Sequence, residues 1–115
     1  MILHSRQPVT LVGGAPVERA DLDAALALAP MVVAADGGAD RALDLGQMPQ
    51  AVWGDFDSIS ARARAQIPAE RLHPIAEQDS TDFEKCLSRL RAHFVIAVGF
   101  SGARHDHFLS ALGVL

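Results

Sequence analysis

Short apolar runs alternate along this chain with longer stretches in which apolar residues recur at helical spacing. The short runs predict five strands, at residues 9–12, 31–35, 51–53, 72–75 and 94–98. The intervening stretches predict five helices, at residues 18–28, from the turn at 36–38 to about 45, at 61–66, from 81 to about 92, and from 107 to 115. Pro74 predicts that the fourth strand is either an edge strand or an irregular one.

This alternation of strands and helices predicts an α/β fold. The expected architecture has three layers, a mostly parallel sheet with helices on both faces, as in Rossmann-like proteins. No internal repeat or linker interrupts the chain, so residues 1–115 are predicted to form one domain. We expect the chain to be truncated at its C-terminus, because Leu115 falls inside the last apolar helical pattern and no glycine, proline or basic turn follows to close it.

Composition and charge narrow the expected partners and location. Half of the residues are hydrophobic and 21% are charged, which is typical of a folded globular protein. The formal net charge of −4 argues against nucleic acid as a partner, since such proteins carry a basic surface. We expect a cytoplasmic protein without membrane contact, because neither a signal peptide nor a membrane-spanning run is visible. Cys86 is the single cysteine and is expected to be a buried thiol.

The strongest candidate chemistry is the pair Asp55 and Asp57, directly after the third predicted strand. Gly54 ends that strand with a residue that tolerates unusual backbone angles. Two carboxylates two residues apart in an extended turn can share one hard cation. They suit Mg²⁺, which takes one or two protein carboxylates and completes its shell with water and phosphate oxygens. A solvated acidic turn is the alternative for this pair alone.

Further acidic and glycine-rich motifs follow the other predicted strands or begin predicted helices. They are Asp36-Gly37-Gly38, Asp79-Ser80-Thr81-Asp82 and Gly99-x-x-Gly102-x-Arg104-x-Asp106. In an open parallel sheet these positions lie along the carboxyl edge, where ligands bind. The sequence therefore predicts that motifs far apart in the chain meet at one edge of the sheet.

Several of these residues have two interpretations. Asp36 either belongs to a simple tight turn or accepts hydrogen bonds from a ribose or a base. Capping of a helix alone could explain Asp82. Capping needs only one acid, however, and the second acid, Asp79, favours contact with a metal or a substrate. Lys85, the single lysine, either reaches a phosphate or lies on a solvated helix face.

Arg104 suits bidentate phosphate binding, with its guanidinium oriented by Asp106, and a surface salt bridge is the alternative. His105 and His107 do not predict a zinc site, because no cysteine or third histidine lies near them in sequence. The chain also has no Gly-Lys-Ser/Thr phosphate loop and no complete dinucleotide fingerprint. Carboxylates, one lysine and one arginine at a shared edge instead predict metal-bound phosphates.

In order and spacing, four motifs resemble the signatures of the thiamine pyrophosphokinase family. They are Ala35-Asp36-Gly37-Gly38-Ala39, Gly54-Asp55-Phe56-Asp57-Ser58-Ile59, Gln78-Asp79-Ser80-Thr81-Asp82-Phe83-Glu84-Lys85 and Gly102-Ala103-Arg104-His105-Asp106-His107. The resemblance covers about residues 9–115. It implies the N-terminal catalytic domain of such an enzyme, which transfers a pyrophosphoryl group from Mg-ATP to the hydroxyl of thiamine and releases AMP.

The resemblance also implies roles for individual residues. Asp55, Asp57 and Asp82 would gather around Mg²⁺ and the triphosphate as catalytic carboxylates. Arg104 and Asp106 would act at the phosphates as the remaining catalytic residues. Contacts to the ATP co-substrate are implied for Asp36, Gly37, Gly38, Ser58, Asp79, Thr81, Lys85 and Gly102.

The chain departs from the family pattern at three positions and in its length. Ala103 replaces a usual glycine, and Asp40 and Ala111 stand where asparagine is usual. The family's C-terminal β-sandwich domain, which helps form the thiamine pocket and the homodimer, has no counterpart in this chain. We therefore expect an ATP and Mg²⁺ half-site with an incomplete thiamine site.

Three rival interpretations remain open from the sequence. One is a diphosphokinase for another alcohol, such as a hydroxymethylpterin, on the same scaffold. Another is a phosphatase of the haloacid dehalogenase type, although Ile59 and the position of the Asp pair after the third strand disfavour it. The last is an inactive nucleotide-binding fragment that lacks the acceptor domain.

Overall fold

The structure, a computed structural model, describes residues 2–75, 82–100 and 107–109, with side chains described for 2–75 and 85–100. The strands and helices follow in chain order: β1 (Leu3–His4), β2 (Val9–Val12), α1 (Arg19–Leu28), β3 (Met31–Ala35), α2 (Gly38–Asp44), β4 (Val52–Gly54), α3 (Ala61–Gln66), a 3-10 turn (Ala69–Arg71), β5 (Leu72–Pro74), α4 (Asp82–Leu87), β6 (Leu90–Arg91), β7 (Val95–Val98) and β8 (His107–Leu109).

Six of these strands form one sheet in the order β5-β4-β3-β2-β7-β8. The first five are parallel to their neighbours, and β8 pairs antiparallel with β7. Strand β2 lies at the centre, with Leu11 opposite Val33 on one side and Ala97 on the other. The predicted α/β fold with a mostly parallel sheet is confirmed, and β5 with its Pro74 is an edge strand as expected.

Both faces of the sheet are covered by helices in the described part of the chain. Leu11 and Val33 point to the face that packs against Cys86 of α4. Their neighbours Val12 and Val32 point to the other face and pack against α1 and α2. A third cluster joins this second face to α3. The central strands are therefore buried on both sides, which explains why their sequences are apolar throughout.

Two helix predictions were wrong in part. The helix expected to run from 81 to about 92 ends at Leu87, and Leu90–Arg91 instead pairs as β6 with β1 in a separate two-stranded parallel sheet. The helix expected from 107 is a strand at His107–Leu109, because its backbone pairs with Val95–Ala97 and completes the hydrogen bonding on that side of β7. The rest of that prediction, residues 110–115, lies outside the described residues.

The other three helices match their predictions closely. Helix α3 begins after Ser60, whose Oγ accepts a hydrogen bond from the backbone N–H of Ala63 at 3.0 Å. That contact is an N-cap, which satisfies one of the free amide groups at a helix start. None of the helices in the described ranges combines the length and the apolar character that crossing a membrane requires.

Candidate functional site

The carboxyl ends of the central strands meet in closely packed, glycine-rich turns. A Cβ placed on Gly13, after β2, would lie 2.5 Å from the carbonyl oxygen of Gly99, after β7. A Cβ on Gly38, at the start of α2, would lie 1.9 Å from the carbonyl oxygen of Val12. Contacts this short exclude any side chain. The glycines therefore bring the ends of β2 and β7 and the start of α2 into direct backbone contact.

The Asp55 and Asp57 pair lies on the turn that follows β4 at this edge. The Asp55 carboxylate accepts a hydrogen bond from the backbone N–H of Asp57, with 3.1 Å between Oδ1 and N. Phe56 between them has a left-handed backbone, with φ of 65°. Asp55 is partly buried and Asp57 is exposed. Both carboxylates thus belong to one tight turn at the solvent boundary of the edge.

Asp36, at the end of β3, is bonded to this turn through its side chain. Its carboxylate Oδ1 accepts hydrogen bonds from the backbone N–H groups of Ser58 and Ile59, each at 3.2 Å. Asp36 is buried, with 3% of its surface exposed. Gly37 adds a second contact, because a Cβ on it would lie 3.1 Å from the Cβ of Ser58. The turns after β3 and β4 are therefore packed together.

The surroundings of Asp55 favour its ionised form. Its pKa is lowered first by the hydrogen bond from the backbone N–H of Asp57, then by a hydrogen bond from the Asp36 side chain and by the charge of Lys85, and burial opposes these effects. Lys85 on α4 is itself buried, with 4% exposed. The interpretation of Lys85 as a solvated helix residue is therefore wrong, and its charge acts at the carboxylate turn.

The donor chemistry of this turn fits a hard divalent cation. Asp55 and Asp57 offer carboxylate oxygens beside solvent, and Mg²⁺ commonly uses one or two protein carboxylates with phosphate oxygens and water. Among the described side chains, no group of three or more His, Cys, Asp or Glu is arranged to hold a metal ion. The third predicted ligand, Asp82, begins α4, and its side chain is not among those described.

Comparison with known proteins decides the family. The model of the thiamin pyrophosphokinase catalytic domain matches residues 22–115. The chain belongs to the thiamin pyrophosphokinase family. A thiamine pyrophosphokinase from Bacillus subtilis is 35% identical over 89 residues, which cover 72% of this chain and 42% of that protein. The resemblance predicted from the four motifs is confirmed.

Solved structures agree with this family and with the fold. Thiamin pyrophosphokinase from Geobacillus thermodenitrificans superimposes with a TM-score of 0.61 at 26% identity, covering 84% of this chain and 48% of that one. A family protein from Enterococcus faecalis gives a TM-score of 0.59 at 27% identity, covering 87% of this chain and 49% of that one. The chain thus spans less than half the length of these relatives.

The structure brings together the family motifs that it describes. Asp36 and Gly37 contact the turn that carries Asp55, Asp57 and Ser58, as expected for motifs at one carboxyl edge, whereas Gly38 packs against the end of β2. The backbone of Asp82 begins α4, on which Lys85 lies. The remaining predicted site residues lie outside the described residues: Asp79, Thr81, Gly102, Arg104 and Asp106.

Two contacts near this edge had not been predicted, and neither involves the turn of Asp55 and Asp57. Gly13 and Gly14 follow β2, and the Nε of Arg41 on α2 donates to the carbonyl oxygen of Gly14 at 3.2 Å. In the sequence, the glycine pair directly after an apolar strand could have indicated this close contact. Asp40, where the family usually has asparagine, accepts hydrogen bonds from the backbone N–H and the hydroxyl of Ser60. Its carboxylate therefore holds the start of α3.

Proposed function

We propose that this chain provides the donor half of a thiamine pyrophosphokinase site. It would bind Mg-ATP and support transfer of the terminal pyrophosphoryl group to the hydroxyl of thiamine, which gives thiamine diphosphate and AMP. The observation that carries this proposal is the turn of Asp55 and Asp57, bonded to Asp36 and next to the buried charge of Lys85. Family membership supports the same reaction.

In this proposal the protein mainly orients and neutralises the reactants. Asp55 and Asp57, with Asp82 from α4, would hold Mg²⁺, which would neutralise the triphosphate when bound. Arg104 and Asp106 would act at the phosphates. In-line attack on phosphorus depends on positioning and charge stabilisation more than on covalent participation by the protein. The described edge suits that demand because its turns are fixed by backbone contacts.

Contacts to the nucleotide are proposed for the residues around this turn. The homodimer and the cytoplasmic location are separate predictions. The predicted set comprises Asp36, Gly37, Gly38, Ser58, Asp79, Thr81, Lys85 and Gly102. The close approach of Gly37 to Ser58 supports a joint role of these two turns. An acceptor other than thiamine is distinguished by assaying AMP release with thiamine and with a hydroxymethylpterin, using a chain extended to the length of its relatives.

Isothermal titration of ATP with Mg²⁺ and with EDTA tests the donor site directly. The unchanged chain should bind ATP more tightly with Mg²⁺, and Asp57→Asn should remove that gain. The matched control is Asp44→Asn, because Asp44 is an exposed carboxylate at the end of α2 that pairs with the exposed Arg62 of α3. The control should keep its affinity within about twofold, or about 0.4 kcal/mol. Unchanged Mg²⁺ dependence in Asp57→Asn would contradict the metal assignment.

A second candidate function is nucleotide binding without turnover. It is favoured by one observation: the chain spans 42% of the length of its curated relatives. Incubation of this chain with Mg-ATP and thiamine separates the two candidates. Formation of AMP and thiamine diphosphate supports the complete reaction, whereas Mg²⁺-dependent binding of ATP without AMP supports the donor half alone.

A further inference from the structure

The side chain of Asp36 is directed at protein backbone in a way that the nucleotide-contact hypothesis does not explain. One carboxylate oxygen accepts from two successive amides, those of Ser58 and Ile59, at 3.2 Å each. These amides directly follow Asp57. A buried carboxyl oxygen that accepts two backbone N–H groups holds both in place, because leaving buried amides without an acceptor costs free energy. Asp36 therefore fixes the backbone where the metal turn ends.

Asp36 also fixes the backbone where the same turn begins. Its own N–H donates to the carbonyl oxygen of Trp53 at 2.9 Å. A Cβ added to Gly54 would lie 3.0 Å from the Cβ of Asp36, and Gly54 has φ of 153°, where side chains are strained. This glycine lets the strand end pass directly over Asp36. Residues 54–57 are thus attached to Asp36 on both sides.

The backbone of Asp36 is itself unusual in a way that suits this role. Its φ is 45°, in the left-handed region that asparagine and aspartate adopt more readily than other residues with side chains. The carbonyl oxygen of Asp36 accepts from the N–H of Ala39 and so begins the turn into α2. One residue therefore connects the end of β3, the start of α2 and the turn after β4.

We propose that Asp36 is a positioning residue, which sets the relative placement of the Asp55 and Asp57 carboxylates by holding both ends of their turn. The inference rests on the proposed Mg²⁺ site and refines it, because it gives Asp36 a role through the turn and not through the nucleotide. It follows that loss of the Asp36 side chain should weaken the site for the cation, while contacts between ATP and the rest of the edge persist.

Two substitutions separate positioning from direct contact. Asp36→Ala removes the acceptor of both amides. Asp36→Asn keeps an oxygen for the two amides, tolerates the left-handed backbone and offers an N–H₂ group toward Asp55. The control is Asp40→Ala, which removes another carboxylate that holds this segment through Ser60, beyond the metal turn.

The main measurement is the Mg²⁺ concentration for half-maximal ATP binding, with ATP affinity in EDTA as the companion value. We expect Asp36→Ala to raise the Mg²⁺ requirement at least about tenfold and to leave affinity in EDTA within about twofold. The Mg²⁺ requirement of Asp36→Asn should stay within about threefold of that of the unchanged chain. Asp40→Ala should have the same Mg²⁺ requirement as the unchanged chain, although the variant protein is less stable. A raised Mg²⁺ requirement in Asp36→Ala with unchanged affinity in EDTA, together with rescue by asparagine, is the combination that a general loss of structure or a contact to ATP would not give.

Several results would overturn the inference. An unchanged Mg²⁺ requirement in folded Asp36→Ala would show that the turn holds its geometry without the side chain. Equal loss of ATP affinity with Mg²⁺ and in EDTA would indicate direct nucleotide contact. If Asp36→Ala does not fold, Asp36→Asn decides alone, and a tenfold rise in its Mg²⁺ requirement refutes positioning.

Failure of the proposed function itself has a different signature. The unchanged chain would then show no effect of Mg²⁺ on ATP binding. In that case amide hydrogen exchange decides the positioning role: the amides of Ser58 and Ile59 should be protected in the unchanged chain and in Asp36→Asn. Fast exchange at both amides in the unchanged chain would overturn the inference.

Discussion

Replacement of Gly38 by alanine should destabilise this protein, although the same change usually stabilises a helix. Gly38 is the first residue of α2 and is buried against the end of β2. An added Cβ would lie 1.9 Å from the carbonyl oxygen of Val12, whereas an ordinary contact begins at 3.4 Å. Either α2 or the strand end must therefore move by about 1.5 Å. The obstacle is backbone, so no side-chain rotation can relieve it.

The expected loss follows from two opposing terms. Forcing extra atoms into a packed interior costs about 1–3 kcal/mol and occasionally more. Alanine regains up to about 1 kcal/mol over glycine through its better helix propensity. Because the overlap is with backbone, we expect a cost slightly above the first range, about 3–4 kcal/mol, and therefore a net loss of about 2–3 kcal/mol. For a domain of this size, that corresponds to a melting temperature lower by about 10–20 °C.

Urea denaturation followed by the fluorescence of Trp53 measures this loss. Trp53 is the single tryptophan and is fully buried, so its emission reports global unfolding. The control is Gly46→Ala, at a left-handed φ of 82° with no atom within 4 Å of the added Cβ. Backbone strain alone should cost it about 1–2 kcal/mol. A Gly38→Ala protein at least as stable as Gly46→Ala would refute the crowding argument.

Three further substitutions test other parts of the fold by the same denaturation. Thr10→Val should lower the free energy of unfolding by about 1–3 kcal/mol, because the buried carbonyl oxygen of Ala29 loses the hydrogen bond that the Thr10 hydroxyl donates at 2.7 Å. Thr10→Ser keeps a hydroxyl and should lower the free energy of unfolding less. Ser60→Ala should cost about 0.5–2 kcal/mol by removing the N-cap of α3, and an unchanged stability would contradict that role. Burial lowers the pKa of His73 from 6.5, so its neutral form is favoured in the native state. Its stability contribution is complete above pH 6.5 and is lost as pH falls through the native pKa. His73→Gln should therefore lose less stability than the unchanged chain between pH 7.5 and pH 5.

The sequence could predict that the acidic motifs meet, but not how they contact each other. Parallel strands end at the same edge, so the position of Asp36 and Asp55 after two apolar runs was sufficient to place them together. The bonds from Ser58 and Ile59 to Asp36 span more than twenty residues. No local pattern encodes such a contact. An aspartate after a strand gives the same sequence signal whether its carboxyl group faces a ligand or a backbone amide.

Very short strands were the other feature that could not be predicted from the sequence. Strands β1 and β6 have two residues each, which is too few for any periodicity to be seen. Leu90 continued the helical spacing of the preceding apolar residues, yet it pairs with Leu3 in a strand. The burial of Lys85 was equally hidden, because a lysine is mostly exposed and only the tertiary position of α4 decides otherwise.

The contacts around Asp55, first of all the hydrogen bond from the backbone N–H of Asp57, explain how several carboxylates can share this edge before any cation is present. Carboxylates brought close together repel one another and tend to retain a proton. Here the backbone N–H of Asp57, the Asp36 side chain and Lys85 all lower the pKa of Asp55, so Asp55 is ionised at neutral pH. A cation that binds there need not displace a proton from Asp55. The turn is thus charged and held by hydrogen bonds in advance, which suits the proposed binding of a metal-bound triphosphate.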